Sequence, residues 1–226
     1  MNCLQSASSI LVGLVCLFLA EAPQSWNFDA DALGKLPAGW TADRTSSGPG
    51  SVWKVRADDS ASGKNRFLSQ TASDGAKRQF NLCVTDVRYR DLDLSVKIRP
   101  REGKIDQGGG VVWRYRDAQN YYLCRWNPLE DNFRAYKVVA GKRSQMDTAK
   151  VPGNLRDWQT LRIVQVGREF RGYFNGKLLL EVEDDEFPEA GRIGLWTKSD
   201  AVTDFDEFTA RTATDHDVEE LKNPPE

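Results

Sequence analysis

Apolar and polar positions alternate strictly along short runs of this chain. In residues 91–99, DLDLSVKIR, Leu92, Leu94, Val96 and Ile98 fall on one side and Asp93, Ser95 and Lys97 on the other. A side-chain period of two marks a β-strand with one buried face. Pro100 is expected to end this strand, because it lacks the N–H that a ladder needs. The same reading places strands at 26–28, 52–55, 67–70, 111–116, 121–127, 133–139, 158–166, 170–174, 178–182, 193–197 and 205–210, about twelve in all. Asn175-Gly176 between two of them suits a type I′ hairpin, whose central residues both need positive φ. Helical periodicity is almost absent, and no fixed-period repeat points to a propeller. The pattern predicts an all-β fold, a two-sheet antiparallel sandwich.

Residues 103–139 carry the most information. On the strand at 121–127, Tyr122, Cys124 and Trp126 share one face, and Tyr121, Leu123, Arg125 and Asn127 the other. If Trp113 opposes Cys124 in an antiparallel pair, Arg114 and Arg125 both emerge away from Trp113, Tyr122, Cys124 and Trp126. The first face is then core and the second a concave surface. Arginine forks and amides there have the donors to hold sugar hydroxyls or a carboxylate. Glu130 and Asn132 follow in a loop at the rim, and Asp106, Gln107 and Lys198 complete the cluster. A purely structural pairing of Glu130 with Arg125 remains an open alternative. The glycine run at 108–110 precedes a strand rather than a helix, so it reads as a tight turn or bulge and not as a phosphate loop. Seven Trp are spread along the chain and read mainly as core, with Trp40 and Trp196 the expected exceptions.

Residues 10–20, ILVGLVCLFLA, form an apolar run too short to span a bilayer and followed by small residues. They read as the h-region of a signal peptide over residues 1–22, which predicts an exported protein, periplasmic or extracellular. About 200 residues remain, the size of one sandwich domain (23–211), ahead of an acidic, flexible tail at 212–226. No second apolar run predicts a membrane span. Net charge is −2 with both signs interspersed, which excludes the clustered basic footprint of a nucleic-acid binder. Cys83 and Cys124 are expected as buried thiols rather than a disulfide, and the single histidine, His216, makes a zinc site improbable.

Several motifs stand in a characteristic order: FD-x(4)-G-x-LPAGW at 28–40, VWKV, DQGGGVVWRYRDAQNYYLCRWNPLEDNFRAYKV, DWQTLRIV, YFNGK and GRIGLWTKSDAVTDFDEF. Together they resemble the laminin-G-like, concanavalin A-like jelly rolls of bacterial exported proteins. Within these, the chain is most similar to the DUF1080, or 3-keto-disaccharide hydrolase-like, set. The resemblance implies a jelly-roll sandwich over most of the chain, but the same sandwich hosts lectins, glycosidases and adhesive modules. Three functions follow as expectations. The first is a module that binds a glycan or glycoside through Arg114, Arg125, Asn127, Asn132, Gln107 and Lys198. The second, implied by the resemblance, is a hydrolase or lyase acting on 3-keto-glycosides, with Glu130 or Asp106 as acid/base. The third is a structural adhesion module.

The usual paired-carboxylate glycosidase motif is missing: the acidic run at 181–186 has the wrong spacing and reads as a solvated turn. A ketone beside the reacting C–H acidifies it, so elimination needs one base and not two carboxylates. No cofactor is expected. A structural calcium has only weak candidate ligands in Asp29, Asp204 and Asp206.

Overall fold

The computed structural model describes residues 22–46, 48, 51–58, 65–74, 79–153, 155, 157–214, 216–217 and 219. The expected signal segment therefore lies outside the described residues, apart from Ala22. Among the described residues, fifteen strands form two antiparallel sheets. The first runs edge to edge as β13 (Lys177–Glu183), β12 (Glu169–Phe174), β11 (Gln159–Val166), β6 (Leu92–Glu102), β15 (Val202–Thr212), β4 (Arg66–Gln70) and β3 (Trp53–Ala57), with β1 (Gln24–Trp26) also paired to β15. The second runs β10 (Lys142–Lys150), β9 (Asn132–Val139), β8 (Asn120–Asn127), β7 (Gly109–Asp117), β14 (Gly191–Lys198), β5 (Phe80–Tyr89) and β2 (Trp40–Thr45). The result is the jelly-roll sandwich that the alternation predicted. No helix among the described residues is long and apolar enough to cross a membrane.

The main core lies between the sheets. Leu92, Leu94, Val96 and Ile98 enter it from β6 fully buried, and Val111, Trp113, Tyr122, Cys124 and Trp126 enter it from β7 and β8. Burying each such side chain contributes about 1.5–3 kcal/mol. Two of the buried indoles find partners: Trp113 Nε1 donates to Gln165 Oε1, and Trp126 Nε1 to the Val151 carbonyl at 3.2 Å. Trp40 also belongs here, packed against Trp26, Phe28 and Phe208, so it is core and not an exception. Cys83 and Cys124 are free, buried thiols, and burial pushes both well above the ordinary thiol pKa.

Several local expectations change. Pro100 does not end β6, which continues to Glu102; the proline sits where the β6–β15 register shifts, a bulge that needs no ladder bond from it. Three strands have no counterpart in the alternation: β2, β5 and β10. Two of these are sheet edges with half-exposed polar sequences, and β5 is buried along most of its length on both faces. The Asn175-Gly176 turn is as expected, with φ of 49° and 80°.

The β7–β8 register also differs. Trp113 opposes Tyr122, and Val111 opposes Cys124, because a bulge between Trp113 and Asp117 absorbs extra residues. The face assignment of Trp113, Tyr122, Cys124 and Trp126 survives this two-residue shift, since an even slip preserves parity. The assignment of Arg114 does not survive, because it lies in the bulge itself with φ of 44°. At the other end of the chain, Asp217 lies beyond β15, within the segment expected as a tail, and is buried against Arg211 and Thr214.

Candidate functional site

The second sheet has a face turned away from the main core. Phe80, Leu82 and Val84 of β5, Val112 and Tyr115 of β7, Tyr121 and Leu123 of β8, Tyr136 and Val138 of β9 and Trp196 of β14 form a separate buried cluster there. The sheet curls until its β2 edge reaches the β7–β8 hairpin. Thr45 Oγ1 donates to the Ala118 carbonyl at 2.5 Å and lies 2.7 Å from the Tyr121 hydroxyl, and Tyr115 bonds Asp43. The aromatic surfaces on this face are therefore covered and form no open stacking platform: Trp196 is 1% exposed.

The polar cluster sits on the same face, at the end where β8 turns into β9. Asn127 Oδ1 accepts from the Leu129 and Glu130 amides at 2.9 and 3.2 Å, which shapes the turn, and Asp131 in it has φ of 50°. Asn127 Nδ2 donates to Asp106 Oδ1 at 3.0 Å, and Lys198 Nζ pairs with Asp106 Oδ2. Arg125 donates to Asn132 Oδ1, to Glu130 Oε2 at 3.0 Å and to the Tyr136 hydroxyl at 3.0 Å. Glu130 Oε2 also receives Asn132 Nδ2 at 3.1 Å and Arg134 Nη1 at 3.3 Å. An open groove of about 410 Å³ runs beside this network, lined by Glu130, Asp131, Asn132, Arg134, Thr148, Ala149 and Lys150.

The loop that presents Asp106 is held from below. Asp200 accepts from the Lys104, Ile105 and Asp106 amides at 2.7–3.1 Å, and Gln107 Nε2 turns back to the Gly103 carbonyl at 2.8 Å. Gly108 follows with φ of 77° and no room for a side chain: a Cβ there would lie 2.1 Å from the Trp126 carbonyl oxygen. The glycine run thus allows the close approach that brings Asp106 beside Asn127.

The two carboxylates are tuned in opposite directions. Burial is the largest influence on Asp106 and raises its pKa; the Lys198 bond and the charges of Lys198 and Arg125 only partly offset it. Burial also works to raise Glu130, but the Asn132 bond and the Arg125 and Arg134 charges outweigh it and leave its pKa lowered. Asp106 is therefore the better proton acceptor and donor, and Glu130 is a clamped anion.

The structure thus gathers Asp106, Arg125, Asn127, Glu130, Asn132 and Lys198 into one network, with Gln107 in its supporting loop. Arg114 lies elsewhere. Fully buried, it donates to the Arg90, Phe187 and Gly167 carbonyls at 2.9, 2.7 and 2.6 Å, and meets Asp91 at 3.3 Å. The β7 bulge turns it to the end of the sandwich, where it ties three loops together, apart from the network around Arg125. The weak calcium candidates are engaged by protein donors: Asp204 by Ser69, Arg99 and Arg101, Asp206 by Asn65, and Asp29 by the Arg66 amide. Two arginines beside Asp204 oppose a cation there.

One residue the alternation did not flag belongs to this face. Arg143 on β10 lays its guanidinium 4.3 Å from the Tyr136 ring centre, 4.9 Å from Phe80 and 5.8 Å from Trp196. Burial lowers its pKa, and the charges of Arg125 and Asp106 both reach it. Its only signal in the sequence is an arginine in a polar run, KRSQMDTAK, without apolar alternation.

The family model for the 3-keto-alpha-glucoside-1,2-lyase-like domain matches residues 27–211. No curated protein sequence matches the chain. Among solved structures, the carbohydrate-binding module CBM66 from Bacillus subtilis superposes with a TM-score of 0.61 at 22% identity, covering 77% of this chain and 96% of that one. A GH43 protein, BlXynB from Bacillus licheniformis, gives 0.57 at 16% identity; the match covers 84% of this chain but only 39% of the enzyme. A Bacillus subtilis protein of unknown function with a galectin-like fold gives 0.56 at 10% identity, covering 77% and 90%. At these identities the three likenesses establish the sandwich fold.

Proposed function

Because the chain belongs to the 3-keto-alpha-glucoside-1,2-lyase-like family, we propose that it binds a glycan or glycoside at the face carrying Asp106, Arg125, Asn127, Glu130, Asn132 and Lys198. The observation that carries this reading is the convergence of these six side chains into one network, of which Glu130 and Asn132 line the open groove. Sugars present several hydroxyls at fixed spacing, and a preorganised set of charged donors and acceptors is the complement they need. A sandwich of this fold serves as a carbohydrate-binding module in Bacillus subtilis, which supports the same reading. The covered aromatics direct recognition to hydrogen bonds and charge rather than to ring stacking.

A second reading, cleavage of a 3-keto-glycoside, is favoured by the raised pKa of Asp106 and by the family. In this reaction a base takes the C2 proton, which the C3 ketone acidifies. The electrons form a C1–C2 double bond, and the C1–O bond to the leaving group breaks. Asp106 takes the proton and passes it to the departing oxygen. Lys198 and Asn127 hold the carboxylate in place, and Arg125 orients the sugar.

Calorimetric titration with α-glucosides and their 3-keto derivatives tests both readings. Binding that weakens at least ten-fold in Lys198→Met and Glu130→Gln, with folding intact, is the expected result. Consumption of the 3-keto derivative that stops in Asp106→Asn establishes cleavage. No binding to any saccharide refutes the proposal.

A further inference from the structure

Three cations of this face are partnered by carboxylates. Lys198 is held by Asp106, Arg125 by Glu130 and Asn132, and Arg134 by Glu130 and Thr148. Arg143 differs. Among the described residues no carboxylate pairs with it, and its buried Nη1 donates no hydrogen bond. What holds it is a set of ring faces: Tyr136, Phe80 and Trp196. Tyr136 in turn accepts a hydrogen bond from Arg125, so two guanidinium groups flank a single ring.

A guanidinium fixed by aromatic planes spends little of its hydrogen-bonding capacity. A buried donor without an acceptor is costly, and pairing it recovers that cost. The surrounding charge points the same way. Five cations, Arg125, Arg134, Arg143, Lys150 and Lys198, face three carboxylates, Asp106, Glu130 and Asp131, each already engaged. A neutral sugar leaves this imbalance in place, whereas an acidic sugar removes it.

We propose that the ligand of this face is an acidic saccharide, a uronate-bearing glycan, and that Arg143 receives its carboxylate. The inference rests on the glycan-binding reading above and names the substrate class of that same site. The free edge of the guanidinium forms the charge-assisted bonds, with Arg125 reinforcing the field. The neighbouring hydroxyls reach the Glu130, Asn132 and Arg134 groove.

The test is isothermal titration of the intact chain with an oligogalacturonate and with its methyl ester at matched length, in low and moderate salt. The wild type should bind the acid at least ten-fold tighter than the ester, with the preference shrinking as salt rises. Arg143→Met should bring the acid down to the affinity of the ester, and Arg143→Lys should keep part of the preference. Equal affinity for acid and ester in the wild type overturns the acidic-ligand inference while leaving glycan binding standing. A preference that persists unchanged in a folded Arg143→Met overturns the assignment to Arg143. Failure of both sugars, and of neutral glucosides, overturns the glycan reading itself.

Discussion

Replacing Arg114 with Met should cost the fold roughly 3–5 kcal/mol while leaving any saccharide affinity of the folded protein unchanged. The magnitude follows from what the side chain holds. Its three nitrogens donate to carbonyls at 90, 167 and 187, and one of them also meets Asp91. The side chain is 1% exposed, so water cannot stand in for it in the native state. Charge-assisted bonds of this kind contribute about 1.5–3 kcal/mol each, and a buried acceptor left without a donor costs about 1–3 kcal/mol. Simple addition overshoots, because the loops relax and water enters the space; breaking one member of a buried ionic set typically costs about 3–5 kcal/mol. With a urea m-value of about 2 kcal/mol/M, the unfolding midpoint should fall by roughly 1.5–2.5 M. Arg114→Lys keeps the charge but not the planar fork, and should recover less than half of the loss. A midpoint shift smaller than about 0.5 M would show that the loops do not depend on Arg114. A variant of normal stability but reduced sugar binding would return the residue to the ligand face and refute the bulge-based assignment.

Three further outcomes follow from the packing. Gly110→Ala should lose more than about 3 kcal/mol, or fail to yield folded protein, because a Cβ there would lie 1.9 Å from the Cys124 carbonyl oxygen and 2.6 Å from the Arg125 Cα; urea melts measure it. Cys83 and Cys124 should not react with a thiol reagent at pH 8 in the native protein and should both react on unfolding, since burial raises each pKa; native labelling at either would contradict the closed core. Asp217 has its pKa depressed, chiefly by its bond to Arg211 despite the opposing effect of burial. Its stabilisation is therefore complete above the ordinary carboxylate range and is lost as pH falls towards the depressed value. Asp217→Asn should cost roughly 1–2 kcal/mol at pH 7 and progressively less in acid, and a pH-independent difference in urea midpoints would rule this out.

What the chain discloses about itself depends on how each residue is held. Strands with one face in the core write a period of two into the sequence, so β6, β7, β8, β9 and β11 are legible, and so is the split between Trp126 and Arg125 on adjacent positions. Edge strands write almost nothing: β10 is a polar nonapeptide, half exposed, and its pairing with β9 is fixed by backbone ladders that any sequence can make. Arg143 lies on that strand, so the residue with the open donor was hidden by the weakest pattern in the chain. A bulge is equally silent. It changes which residues face each other without altering composition, and one bulge was enough to move Arg114 from the expected ligand face to a loop-bracing role. The cluster around Asp106 was legible because its members crowd into two loops and two strand ends, where polar side chains have no reason to be unless they bond one another or a ligand. Which of those two reasons applies depends on donors left over after the internal bonds are made. In this face the charged donor left over beside Tyr136 and Trp196 is on Arg143, and that is why the functional question turns on a residue outside the segment that first marked the site.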